Sequence, residues 1–437
     1  MTNWRNWAGN QIAKNLTRSG SIRSIDDVVE VVKRAKAASK TVKVVGSGHS
    51  FSGIARPEEV IVSLEHLTGI VSVDRENSTV VVRAGTTIAD LNVELHHLGY
   101  AMPNLGDVTY QSILGALSTS THGTGLRFGG LATQVVAFTM VTGEGEVITC
   151  TPKSHSDIWR YGRVSLGALG IIVEVTLNVV ESFLLHAVEQ PEPVRDVITN
   201  WDGYTKDNDH FEFYWIPHTR WALTKRNNRT TRDRTDRRPV ATFWNKMVME
   251  NLAFGTVCRV GRAVPPLVPK LAAALPSQGC QERVDDSFRI FASKRLVKFY
   301  EMEYSVPYAA LPEVLDRVIK MVDERGFRVS FPVEVRAVRA DDIPLSTATN
   351  RDSAYIAVHM YKGTDYEPYF RAVEAIMMEY QGRPHWGKIH FQDRKYLAGV
   401  YPELTKFGEL RDRIDPRGMF ANAYLNRVLG RQSGISD

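Results

Sequence analysis

Cysteine is scarce. The chain has only Cys150, Cys258 and Cys280, an odd number without C-x-x-C spacing. That excludes a disulfide framework and a cysteine zinc site, and makes a reducing compartment, the cytoplasm, the expected location. No apolar run reaches the roughly 18 residues of a membrane-spanning helix. The opening MTNWRNWAGNQ has no basic-then-apolar secretory pattern. No third glycine follows Gly46-Ser47-Gly48 and no acidic residue is spaced for a ribose, which disfavours a Rossmann site and a nicotinamide cofactor. Neither G-x-S-x-G nor a Cys–His arrangement is present to argue for hydrolysis. His96 and His97 are adjacent, His385 and His390 lie five apart, and His218 follows Pro217; none has a third partner at metal spacing, so no metal is expected.

What is there describes an ordinary globular protein, with 437 residues, 43% hydrophobic and 24% charged. The length exceeds one typical core, so at least two domains are expected. The net charge of +5 is local: Lys225 to Arg238 holds seven basic and two acidic residues. That stretch lacks interleaved aromatics, so it reads as a solvated, mobile loop and not as a nucleic-acid surface.

Patterning over the first 180 residues mixes helices and strands. A helix is expected over 24–38, capped by Ser24 with Asp26 and Asp27 in its first turn, and a second over 86–98. Strands are expected at 42–45, 59–63, 69–73, 79–84 and 170–179, a hairpin around 142–145, and a short helix at 154–161. From 180 to 385, strands (211–216, 299–305, 329–338, 354–361) alternate with helices (308–325, 366–380). That order makes a sheet covered on one side. The fold class is therefore α+β.

Two stretches carry the functional signal. Lys43 to Ser52 runs a β-branched strand into Gly46-Ser47-Gly48, where consecutive N–H groups can cradle an anion such as a pyrophosphate, with His49 at the lip. Asn104 to Gly125 is dense in Gly, Ser and Thr and almost uncharged. It suits backbone lying against a ligand better than a packed helix.

Taken with VGSGHSF (45–51), NLGD (104–107), THGTG (121–125), GRVSLGALG (162–170), VEVR (333–336), RPHWGK (383–388) and DPRGMFANAYLNRVLG (415–430), these stretches run in family order. The chain resembles the sugar-1,4-lactone oxidoreductases among the vanillyl-alcohol-oxidase type flavoproteins, which include L-gulono-1,4-lactone and D-arabinono-1,4-lactone oxidases or dehydrogenases and are related to alditol oxidases. The resemblance implies a two-part FAD-binding domain (1–180), a sheet-and-helix substrate cap (181–385) and a C-terminal segment (386–437) that returns to the flavin domain. It also implies FAD attached covalently through His49. Cofactor contacts are implied at Val45, Gly46, Ser47, Gly48, Ser50, Gly106, Asp107, Ile113, Gly115, Ala116, Thr119, Ser120, Thr121, His122, Thr124, Gly170, Ile172, Asn422 and Tyr424. The implied partners are a sugar lactone, or an alditol as the alternative, and dioxygen or another electron acceptor. Gly106 sits where relatives restricted to dehydrogenase behaviour can carry alanine, so oxidase activity is expected.

Glu334 and Arg336 lie two apart on an otherwise apolar strand, hence on one face, where a buried charge needs a partner or a task. Lys388 is bracketed by Gly387 and aromatic Trp386. In the family that the chain resembles, the matching Glu, Arg and Lys line the substrate side of the flavin. Arg336 and Lys388 are assigned to substrate oxygens and developing charge and Glu334 to a substrate hydroxyl, with a base role as the alternative, in catalysis and not in folding. His359, Tyr361 and His385 are expected to line the pocket. The competing reading, a flavin-free protein presenting its basic loop to an anionic polymer, predicts a colourless protein with steep salt dependence.

Overall fold

The structure, a computed structural model, describes residues 1–235, 251–275, 279–292 and 297–432, with backbone only for 251–253. The first sheet is ordered β1-β2-β4-β3, from β1 (Thr2–Arg5), β2 (Ile12–Arg18), β3 (Val42–Val45) and β4 (Val60–Ser63). β4 runs parallel to both β2 and β3. The second is antiparallel, ordered β5-β6-β10-β8-β9, from β5 (Ile70–Asp74), β6 (Thr79–Arg83), β8 (Val135–Val141), β9 (Val147–Cys150) and β10 (Ile171–Asn178). The short β7 (Tyr100–Ala101) pairs with β11 (Val180–Glu181).

The helices Ile25–Ala37 and Ile88–His97 bury Val28, Val31 and Val32, and Ile88, Leu91 and Leu95, in one core with both sheets. The first helix starts at a capping box in which Ser24 Oγ accepts from the Asp27 N–H and Asp27 accepts from the Ser24 N–H. The C-terminal residues return to this core. Asn422 caps the helix Ala423–Leu429 and donates to the carbonyls of Gly53, Ile54 and Arg56, while the Val42 N–H donates to Met419 O.

The third sheet has eight antiparallel strands: β12 (Leu184–Pro193), β13 (His210–Trp215), β14 (Trp221–Thr230), β15 (Gln281–Asp286), β16 (Phe299–Pro307), β17 (Val333–Val338), β18 (Ser353–Tyr361) and β19 (Arg383–Pro384). Their order is β15-β12-β14-β13-β17-β18-β16-β19. Alternation gives its central strands two different faces. Phe211, Phe213, Met302, Val306, Val333, Val335, Ile356 and Val358 share a core with the helices Leu311–Glu324 and Glu367–Glu379. The intervening positions Glu212, Tyr214, Glu301, Glu303, Glu334, Arg336, Tyr355 and His359 form the opposite face, and cross-strand register keeps them together.

Three expectations are corrected. The basic stretch is not a loop over 225–230: it forms most of β14, an interior strand between β12 and β13. Lys225 is half-buried there against Glu212, and Arg226 pairs with Glu192. Over 225–230 both faces of β14 are polar, so apolar alternation could not announce that part of it. Arg234 pairs with Asp286 at 2.6 Å, and 236–238 lie outside the described residues. The strand expected from 329 begins at Val333, because Pro332 has no N–H to give a ladder. The Gly/Ser/Thr stretch does contain a helix, Ile113–Ser118, with Ile113, Leu114, Ala116 and Leu117 buried. Among the described residues no helix is long and apolar enough to cross a membrane.

Candidate active site

The strand β3 ends at Val45 and the chain turns through Gly46 to Ser50. Gly48 has φ +71, which would strain a side chain, and a Cβ on Gly46 would stand 2.4 Å from Ser112 Oγ, so that hydroxyl would have to turn away. Among the described residues, the N–H groups of Ser47, Gly48, His49 and Ser50 find no acceptor in the protein. They line a cleft of about 320 Å³ with Val45, Gly46, Gly115, Thr119, Ser165, Gly167, Gly170 and Ile172. Unengaged N–H groups in a small-sided cleft fit a pyrophosphate-bearing dinucleotide such as FAD. Lys43 also borders the cleft; its Nζ donates to Gly167 O and Phe420 O, and burial lowers its pKa to about 7.

The other sequence-expected cofactor residues lie elsewhere. Ile113 and Ala116 are core residues, and Ser120 Oγ hydrogen-bonds Thr347. Thr121 Oγ1 stands 3.5 Å from that of Thr119. Thr124 Oγ1 donates to Phe211 O, joining the first region to the third sheet. Asn422 is a helix cap, and Tyr424 OH donates to Trp386 O at 3.1 Å. Gly106 packs beside the His122 carbonyl, while Asp107 and His122 join the polar face of the third sheet.

His49 stacks on Trp7 with ring centroids 5.4 Å apart, and Trp7 in turn packs edge-on against Phe51 and Phe299. The Trp7 N–H donates to Gly48 O at 2.8 Å, so the N-terminal hairpin clamps the turn. Burial, aided by the Lys388 ammonium and opposed by Glu301, lowers the His49 pKa to about 4. The imidazole is therefore neutral at physiological pH.

Two charge clusters occupy the polar face. In the first, Arg336 Nε donates to Glu212 at 2.8 Å, and Arg336 Nη2 pairs with Glu334 and stands 3.6 Å from Asp107. Tyr214 OH donates to Glu334 at 3.1 Å, and Lys225 lies 3.2 Å from Glu212. Burial opposes the Glu212 charge, but Arg336 and then Lys225 outweigh it and pull the pKa to about 2. In the second, Lys388 pairs with Glu301 at 2.5 Å, His359 Nε2 stands 3.5 Å from Glu301, and His122 Nε2 stands 3.2 Å from Glu303. His122 lies on the Tyr355 ring at 3.7 Å, and burial lowers the His385 pKa to about 3. Tyr361 ends β18 beneath Arg262, apart from both clusters.

His122, Glu303 and His385 bring ligand-type atoms within 4.8 Å of one another, the donor set of a metal centre. Each ring has its Nδ1 engaged by the backbone. His385 Nδ1 accepts the Gly387 N–H, so the proton of its neutral ring is on Nε2. His122 Nδ1 donates to Gly123 O, which turns Nε2 toward Glu303.

Glu212, Tyr214, Lys225, Glu301 and Glu303 were not singled out from the sequence. The signal was available: Glu301 and Glu303 alternate with Tyr300, Met302 and Tyr304, as Glu334 and Arg336 alternate with valines.

Residues 21–151 match the family described as an FAD binding domain; with the cleft, this places the chain in the class of FAD-dependent oxidoreductases. Residues 175–428 match the family described as D-arabinono-1,4-lactone oxidase, and the chain belongs to that family. It is 40% identical over 434 residues to the L-gulono-1,4-lactone dehydrogenase of Mycobacterium tuberculosis, covering 98% of this chain and 99% of the relative. It is 34% identical over 421 residues to the L-gulonolactone oxidase of Scyliorhinus torazame, covering 93% of each. A cholesterol oxidase from B. sterolicum shares the fold at TM-score 0.80 and 18% identity, over 98% of this chain and 96% of the other.

The buried network alters the expectation that Arg336 serves catalysis alone. Arg336→Met strands carboxylates of Glu212, Glu334 and Asp107 in the interior and should cost about 3–5 kcal/mol of stability at neutral pH. The Glu212 pKa lies below its ordinary value, so its contribution is present above the ordinary carboxylate range and lost as pH falls toward 2. The melting-temperature gap between wild type and variant should therefore narrow on acidification below about pH 5; a gap independent of pH rules out the network as its cause.

Proposed function

We propose that this chain oxidises a hydroxyl of an aldono-1,4-lactone, using FAD held in the cleft behind Gly46–Ser50. The single observation that supports this best is a cleft lined by unengaged N–H groups next to a buried sheet face where Arg336 and Lys388 are fixed among carboxylates. FAD, when bound, would supply the acceptor for the hydride, with its two electrons, that leaves the substrate carbon. Arg336 and Lys388 hold the lactone's oxygens, and their charge stabilises the oxygen from which the proton departs. Neither cation needs to reorganise, because Glu212, Glu334 and Glu301 already hold them in place. Glu334 orients a substrate hydroxyl by accepting its hydrogen bond.

Purified protein should be yellow, and its absorption should bleach anaerobically with L-gulono- or D-arabinono-1,4-lactone. A protein bleached only by xylitol or sorbitol is an alditol oxidase, and one bleached by neither group refutes the reading.

His49 carries the flavin covalently. A neutral imidazole held at the cleft lip by Trp7 has a nucleophilic nitrogen lone pair. Acid precipitation should leave the flavin with the wild-type protein and release it from His49→Ala; release from both shows noncovalent binding.

The enzyme reoxidises with dioxygen, through the gap that Gly106 leaves beside the His122 carbonyl. A Cβ on Gly106 would stand 3.0 Å from that oxygen and 3.7 Å from Thr121 Cγ2. In a close-packed interior, one methyl is enough to narrow such a gap. Stopped-flow reoxidation by oxygen should be fast in the wild type and slowed in Gly106→Ala. A wild type as slow as the variant makes the enzyme a dehydrogenase.

A further inference from the structure

We infer that Lys388, Glu301 and His359 form a relay that removes the hydroxyl proton of the substrate and stores it on His359 Nε2. The inference rests on the reading above, which places Lys388 against the substrate.

The three side chains form a graded path into the protein. Side-chain exposure falls from 21% at Lys388 to 7% at Glu301 and 3% at His359. Lys388 Nζ contacts Glu301 Oε2 at 2.5 Å, and the other carboxylate oxygen stands 3.5 Å from His359 Nε2. His359 and Glu301 face each other directly across β18 and β16, so the ladder fixes the last step.

The tautomer of His359 follows from its other nitrogen. Nδ1 lies 3.0 Å from Pro332 O, a carbonyl that can only accept, so Nδ1 carries the hydrogen. Nε2 then presents a lone pair, is cut off from solvent and has no hydrogen-bond partner. A buried acceptor left unpaired is costly and calls for a reason. His122 and His385 differ, since neither pairs an idle lone pair with a carboxylate–ammonium chain. His210 Nε2 and His390 Nδ1 are also unpartnered, but Phe128 and Phe291 enclose the first and Tyr424 packs on the second.

The step balances. Lys388 Nζ, an ammonium with no lone pair, first gives a proton to Glu301, whose carboxyl group rotates to hand it to His359 Nε2. As the carbon's hydrogen leaves as hydride with its two electrons to FAD, the substrate O–H bond breaks and its proton passes to the lone pair now free on Nζ. Lys388 ends as an ammonium, Glu301 as a carboxylate and His359 as an imidazolium facing that carboxylate. The groups around His359 are Glu301 from β16, Lys388 behind it, the Pro332 carbonyl and the rings of Phe299 and Phe331; Glu303 and Glu334 lie on the same sheet face.

The test is anaerobic stopped-flow reduction of the holoenzyme by saturating lactone as a function of pH. The wild-type rate should fall as pH drops, because a relay that already holds a proton cannot take another. His359→Asn should lower the plateau rate about 100-fold, the low end for a lost acid–base group, and abolish that fall. Bound flavin and lactone Kd should not change. Glu301→Gln should cause the same loss, and the double variant no more than either single one. His359→Gln replaces the asparagine variant if that one does not fold. A His359 variant reduced at the wild-type rate, one keeping the acid-side fall, or a double variant whose losses multiply overturns the relay. A wild type that no lactone reduces overturns the functional reading itself, and the relay with it.

Discussion

The burial of charge on one face of the eight-stranded sheet is the constraint on which the rest depends. Asp107, Glu212, Glu301, Glu303 and Glu334 are all at most 8% exposed, and they share that face with Arg336, Lys225 and Lys388. Ions in such surroundings are tolerated only when paired and hydrogen-bonded in good geometry. Each cation therefore touches at least one carboxylate, and the strand ladders hold the pairs in register. The result is a rigid electrostatic surface in place of a set of mobile side chains.

That surface takes its precision from the opposite face. Phe213, Val333, Val335, Ile356 and Val358 are almost completely buried against the two long helices of the third sheet. A one-residue slip would exchange the faces, putting Glu334 and Arg336 into the apolar core. Packing on one side thus fixes the position of charge on the other.

The join between the two regions is equally specific. Thr124 hydrogen-bonds to β13, Trp7 bridges His49 and Phe299, and Ser52 donates to Trp386 O at 2.6 Å. These contacts bring the turn after β3 and the loop carrying Lys388 to one place. A chain with the same sheets, joined differently, would have a cleft and a charged face but no site between them.

Much of this was legible in order along the chain. The break of β3 at Gly46-Ser47-Gly48, the Ser24 cap and the helix over Leu311–Glu324 follow from local stereochemistry and apolar period, which act over a few residues. Period two also put Glu334 and Arg336 on one face. What the sequence left undecided was which charges meet. Glu212 lies 124 residues from Arg336, and His122 finds Glu303 across a still longer stretch of chain. The basic stretch at 225–230 was misread for the same reason: its charges look solvated until β12 and β13 close over them and Glu212 neutralises Lys225. Backbone preference and hydrophobic period determined the elements; only the tertiary structure decided the pairing of ions, because the desolvation that makes pairing obligatory exists only once the sheet is covered.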